Sequence, residues 1–126
     1  MTWTTLEYLA SPTPSTWSLY AAADSITNPY TGDTPITDSL PVLCFHQGSL
    51  ANPGNLSPVQ TTPGGAKKGT WSRGYLGITQ PILGSLLTSL ALANQLCASS
   101  FGAGYVMAEF HDGNPSVSNT GWGFWG

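Results

Sequence analysis

Apolar residues gather in short runs along this chain, and only one stretch repeats them at a helical period. Leu86, Leu90, Ala93 and Cys97 recur at spacings of four, three and four, which sets them on one stripe. The pattern predicts a helix that begins between Ser85 and Thr88 and runs to about Ser100, with Gly102 and Gly104 supplying a left-handed stop. The other runs read as strands. Trp17, Leu19 and Tyr20 predict a short one with Trp17 and Leu19 on the same face. The run Leu40 to His46 is continuous enough for burial on both faces, and Pro41 fits only at its start or on an edge. Trp71 to Ile78 predicts a further strand, with Trp71, Arg73 and Tyr75 on one face and Gln80-Pro81 as its stop. Tyr105 to Phe110 predicts another, ended by the turn His111-Asp112-Gly113-Asn114-Pro115. Gly121 to Gly126 closes the sequence as an aromatic strand with minimal side chains between the rings.

Between these elements the chain turns polar. Residues 1–39 read as an irregular part rich in Pro, Ser and Thr: Trp3, Leu6, Tyr8 and Leu9 begin an apolar patch, Pro12 and Pro14 prevent regular helix, and Asn28 to Asp33 is a turn cluster. Residues 47–69 read as one long loop holding Pro53, Pro58, Pro63 and several glycines. Asn55-Leu56-Ser57 within it matches a glycosylation acceptor, followed by Pro58. The 126 residues suit one domain, 1–126. Short strands around one mid-chain helix give an α+β class, a small mixed or antiparallel sheet with one main helix.

Composition narrows the function classes. Charged residues make up 7% of the chain, where about 25% is usual, so Ser, Thr, Asn and Gly must supply the polar surface. Lys67, Lys68 and Arg73 are the only basic residues against six acids, too few for a nucleic-acid footprint. The longest apolar region, Ile82 to Cys97, is broken by Gly84, Ser85, Thr88, Ser89, Asn94 and Gln95, and falls short of the roughly 20 residues of a membrane span. Cys44 and Cys97 lack the close pairing of a metal site. They read either as one disulfide or as two buried thiols; a bridge would close a loop of roughly fifty residues, worth about 4 kcal/mol by chain entropy. The scarcity of Lys and Glu favours the bridge and an oxidising, extracellular or cell-surface location. Met1-Thr2-Trp3 carries neither the basic start nor the apolar run of an export leader, so that location implies a leader removed or another route.

Candidate chemistry is sparse. Glu109 and His111 point to one side of a strand, and with His46 they offer a mixed metal site or a general acid–base pair, as in a metal-dependent hydrolase. The competing and preferred reading is structural: Glu109 and Asp112 bond turn backbone N–H groups, and His111 caps the same turn. No Gly-x-Ser-x-Gly elbow occurs, and Gly64 to Gly69 lacks P-loop spacing. These residues predict no enzyme, no metal and no cofactor. The aromatics are the better hint. Trp71, Tyr75, Trp122, Phe124 and Trp125 are the candidate ligand or interface residues, because rigid rings give contact area at low entropy cost.

Two resemblances extend this reading. The stretch Leu90 to Phe110 resembles the helix-to-strand core of C-type-lectin-like domains. That implies a truncated C-type-lectin-like fold, since no Glu-Pro-Asn or Trp-Asn-Asp pattern occurs and calcium-dependent sugar binding is not expected. More of the chain is similar to a set of uncharacterised bacterial proteins, in Tyr30 to Pro35, Leu40 to Cys44, Ala93 to Ala98, Met107 to Gly113 and Gly121 to Trp125. Some of these carry a flagellar hook-length-control label that nothing in this chain supports. The expected function is a secreted binding or interaction module for a carbohydrate or protein surface. The alternative is a self-assembling subunit of a fibre or surface layer, in which an unfinished sheet edge is completed by another chain.

Overall fold

The computed structural model describes residues 3–10, 17–23, 31–51, 70–109, 112 and 123–125; in 3–10, 17–23, 70–71 and 123–125 it describes the backbone. Nine strands and one α-helix are among them: β1 (Trp3–Ala10), β2 (Trp17–Ala23), β3 (Ser39–Leu40), β4 (Leu43–His46), β5 (Thr70–Trp71), β6 (Tyr75–Ile78), β7 (Ile82–Leu83), α1 (Leu90–Phe101), β8 (Val106–Met107) and β9 (Gly123–Trp125). The α+β class holds.

Two segments read as single strands are each broken in two. Pro41 has no N–H to give a ladder, and the run Leu40 to His46 divides there. β3 pairs with β7 in a separate ribbon, while β4 enters a three-stranded sheet of order β6-β4-β8. Val42 carries the pairing across the break: its N–H donates to the Thr79 hydroxyl at 2.9 Å, and the Thr79 N–H donates to its carbonyl at 3.1 Å. Trp71 to Ile78 divides at Ser72-Arg73-Gly74, where Arg73 takes φ 65°, a value uncommon outside glycine. The Leu50 N–H donates to the Arg73 carbonyl at 3.1 Å and fixes the bend. The expectation that Trp71, Arg73 and Tyr75 share one strand face is therefore corrected: Trp71 and Tyr75 belong to different sheets.

Residues 1–39, read as irregular around a short strand at Trp17 to Tyr20, carry two long strands among the described residues, β1 and β2. β1 and β2 pair antiparallel over most of their length, with the register shifting between Thr5 and Glu7. β9 pairs antiparallel with β2 and parallel with β5, giving a sheet of order β1-β2-β9-β5. The turn residues 28–30, residues 52–69 of the long loop, and Phe110 lie outside the described residues.

The helix starts later than the periodicity predicts. The Ser89 hydroxyl accepts from the Leu92 N–H at 3.2 Å, a side-chain cap that fixes Leu90 as the first helical residue. Residues Gly84–Leu86 form a 3-10 turn before it. Leu86 thus falls outside the helix and is 60% exposed, and Leu90 is 49% exposed. The buried stripe contracts to Ala93 and Cys97. Gly102 and Gly104 stop the helix at φ 109° and 92°, as expected.

β4 is the centre of the packing, and side chains alternate across it. Leu43 and Phe45 meet Leu76 and Ala108 on one side. On the other, Cys44 meets Cys97 of α1, with Val42, Leu96, Tyr105 and Met107 around the pair. Cys44 and Cys97 form a disulfide with Cα atoms 5.6 Å apart, and both residues are fully buried. Asn94, one helical turn before Cys97, accepts the Met107 N–H on its side-chain oxygen at 2.8 Å. One residue of the helix is thus tied to β4 and another to β8.

Candidate binding site

His46 is the last residue of β4 and sits on the disulfide side of the sheet. Its register partner on β6 is Tyr75. The ring centroids of His46 and Tyr75 are 6.4 Å apart, and those of His46 and Tyr105 are 5.2 Å apart. Phe101, the last residue of α1, continues the series at 5.3 Å from Tyr105. Successive rings are tilted by 42–50°, an arrangement favoured by ring quadrupoles over face-to-face stacking. The result is an aromatic ledge, Tyr75–His46–Tyr105–Phe101, contributed by two strands, a helix end and the turn between.

Two glycines make room for it. Phe101 lies over Gly77, where a Cβ would come 2.8 Å from the ring. Gly104 backs the imidazole: a Cβ there would come 2.5 Å from Cδ2 and Nε2 of His46. Tyr75 and Phe101 keep 51% and 39% of their surface exposed, while His46 and Tyr105 are half-buried. Among the described residues no hydrogen-bond partner reaches the buried His46 Nδ1, which is costly for an imidazole nitrogen. Rings of this kind can take the C–H face of a sugar or an apolar side chain of a partner.

The remaining candidate residues are distributed as follows. The register aligns Tyr20, Trp125 and Trp71 in one row across β2, β9 and β5, with Phe124 in the next row beside Thr70 and Ala21. Trp71 and Trp125 are thus brought together, and Tyr75 stands apart from them in the other sheet. Trp122 and His111 lie outside the described residues. The Asp112 carboxylate accepts the Glu109 N–H at 2.7 Å, and its own N–H donates to the Glu109 carbonyl at 3.2 Å. Glu109 contributes only its backbone to these two bonds, and its side chain is exposed. Burial, and secondarily the charge of Glu109, hold the Asp112 carboxyl above its usual range, against the opposing Glu109 N–H bond.

His46 and Glu109 do not converge. The Ala108 N–H bonds to the Leu43 carbonyl, so Glu109 lies beyond the far end of β4 from His46. Three residues of strand, roughly 10 Å, separate His46 from Leu43 alone. Among the described residues no group of three His, Cys, Asp or Glu is placed to hold a metal. Also among them, no helix is long and apolar enough to cross a membrane.

Sequence reasoning selected Tyr75 but missed His46, Tyr105 and Phe101 as its companions. The signal was present. His46 follows Cys44 by two in a strand, and Phe101 follows Cys97 by four in a helix, so a disulfide between the cysteines sets both aromatic residues on the shared side. Neither a family model, nor a curated protein, nor a solved structure matches the chain.

Proposed function

We propose that this chain is an extracellular binding module, without catalysis of its own, whose contact surface is the ledge Tyr75–His46–Tyr105–Phe101. The half-exposed Tyr75 beside His46 carries the reading, because an aromatic ring left open next to further rings is a ready contact surface. Low charge and a disulfide support a location outside the cell. A neutral occupant suits the ledge, since three of its four rings come from Tyr and Phe. A polysaccharide or an apolar protein surface is the partner class, and the fold is read as a truncated C-type-lectin-like one.

A glycan array probed with the wild type and with Tyr75→Ala tests this. The wild type is expected to bind a neutral glycan, and Tyr75→Ala to lose about tenfold in affinity. Equal binding by the variant removes the ledge, and an empty array removes the sugar version.

One observation favours a second reading, assembly with copies of itself. Among the described strands β1 stands at the outer position of its sheet, eight residues long with Glu7 its only charged residue, a composition that defends an edge poorly.

A further inference from the structure

Among the described residues, the helix packs on the sheet through a narrow buried face. Of its twelve residues only Ala93 and Cys97 are buried, while Leu90, Leu92 and Phe101 remain 49%, 43% and 39% exposed. The polar tie described above is a single bond, from the Met107 N–H to Asn94. A helix this short is marginal in water alone and depends on an apolar face packed against its neighbours. An alanine and half of a disulfide, with the half-buried Leu96 beside them, make a narrow face. The covalent bond does here what packing does elsewhere.

We infer that the Cys44–Cys97 bond assembles the aromatic ledge, so that the binding site exists only in the oxidised chain. The inference rests on the ledge being the contact surface. Phe101 and Tyr105 come from the helix end and the turn after it; His46 and Tyr75 come from the sheet. The ledge straddles the joint that the disulfide closes. With the bond open, Phe101 leaves Gly77 and the ledge separates into two halves.

The opening step is a thiol–disulfide exchange. A thiolate of a dithiol reductant attacks one sulfur, the Cys44–Cys97 bond breaks, and a mixed disulfide forms. The reductant's second thiol then displaces the remaining cysteine. The chain gains two electrons and two protons as two thiols, and the reductant ends as a cyclic disulfide. Both cysteines are fully buried in the folded chain, so attack has to await a local opening. Reduction of the folded chain is therefore slow.

Hydrogen exchange on the full chain tests it, comparing the oxidised wild type with C44A/C97A and with C44V/C97A, the second pair refilling more of the lost volume. Amides of α1 are expected to exchange at least fivefold faster in both variants. Those of β4 and β6, which pair with each other, are expected to change less. A smaller acceleration in α1, or an equal loss in β4 and β6, overturns the inference. The same variants are applied to whichever glycan the wild type binds, and affinity equal to the wild type's also overturns it. If the wild type binds no glycan, the sugar reading fails separately, and exchange alone decides on the clamp.

Discussion

A methyl group added at Gly104 meets two obstacles at once. The residue has φ 92°, a conformation that L side chains rarely adopt, and the added carbon would press into the His46 ring. Gly104→Ala is expected to lower stability by about 1–3 kcal/mol, read from chemical denaturation. Asp112 governs the acid behaviour of its turn. Its folded carboxyl lies above the unfolded value, so folding favours the protonated form. The stability it contributes is full below the ordinary carboxylate range and is lost as pH rises through the folded value. Relative to the wild type, Asp112→Asn should therefore gain stability as pH rises from the ordinary carboxylate range through the folded value. A difference in urea midpoint that stays constant across that range would contradict this. The sequence marked Asp112 as a turn residue from its neighbours Gly113 and Asn114. It did not reveal that Glu109 serves through its backbone, because a residue type says nothing about which of its atoms are used.

α1 shows where periodicity informs and where it misleads. Its existence, its glycine stop and the inward Ala93 and Cys97 were legible, since a spacing of four along one stripe survives any small error in the ends. Its start was not. Leucines at 86, 87 and 90 extend the apolar pattern backwards, and only the Ser89 cap ends it. Removing the cap with Ser89→Ala should cost about 1 kcal/mol and fray the first turn, visible as faster exchange of the Leu92 amide. Asn94→Ala should cost about 1–3 kcal/mol in denaturant, because it leaves the Met107 N–H without an acceptor at the helix–strand joint. The strand breaks at Pro41 and Arg73 were half visible. A proline inside an apolar run signals an edge, whereas nothing in the residue type of Arg73 announces a positive φ.

At the scale of the whole molecule, the disulfide was the readable feature and the sheet order was not. Two cysteines admit one pairing, but strand neighbours depend on contacts far apart in sequence. The pairing of β9 with both β2 and β5 is of that kind, as is the alignment of Trp71 with Trp125. With a net charge of only −3, self-repulsion is weak, and β1, outermost among the described strands of its sheet, should favour association. Light scattering is expected to show mass rising with concentration if the assembly reading holds, and a monomer at every concentration removes it. The position of β9 has a bearing on biosynthesis. This strand follows β2 and β5 along the chain, yet it lies between them. While the polypeptide emerges from the ribosome, β1 and β2 can zip into a hairpin at once, but β2's second flank stays bare until residues 123–125 arrive. A stalled or clipped polypeptide lacking them would keep that flank bare, and should clump more readily than one that has them.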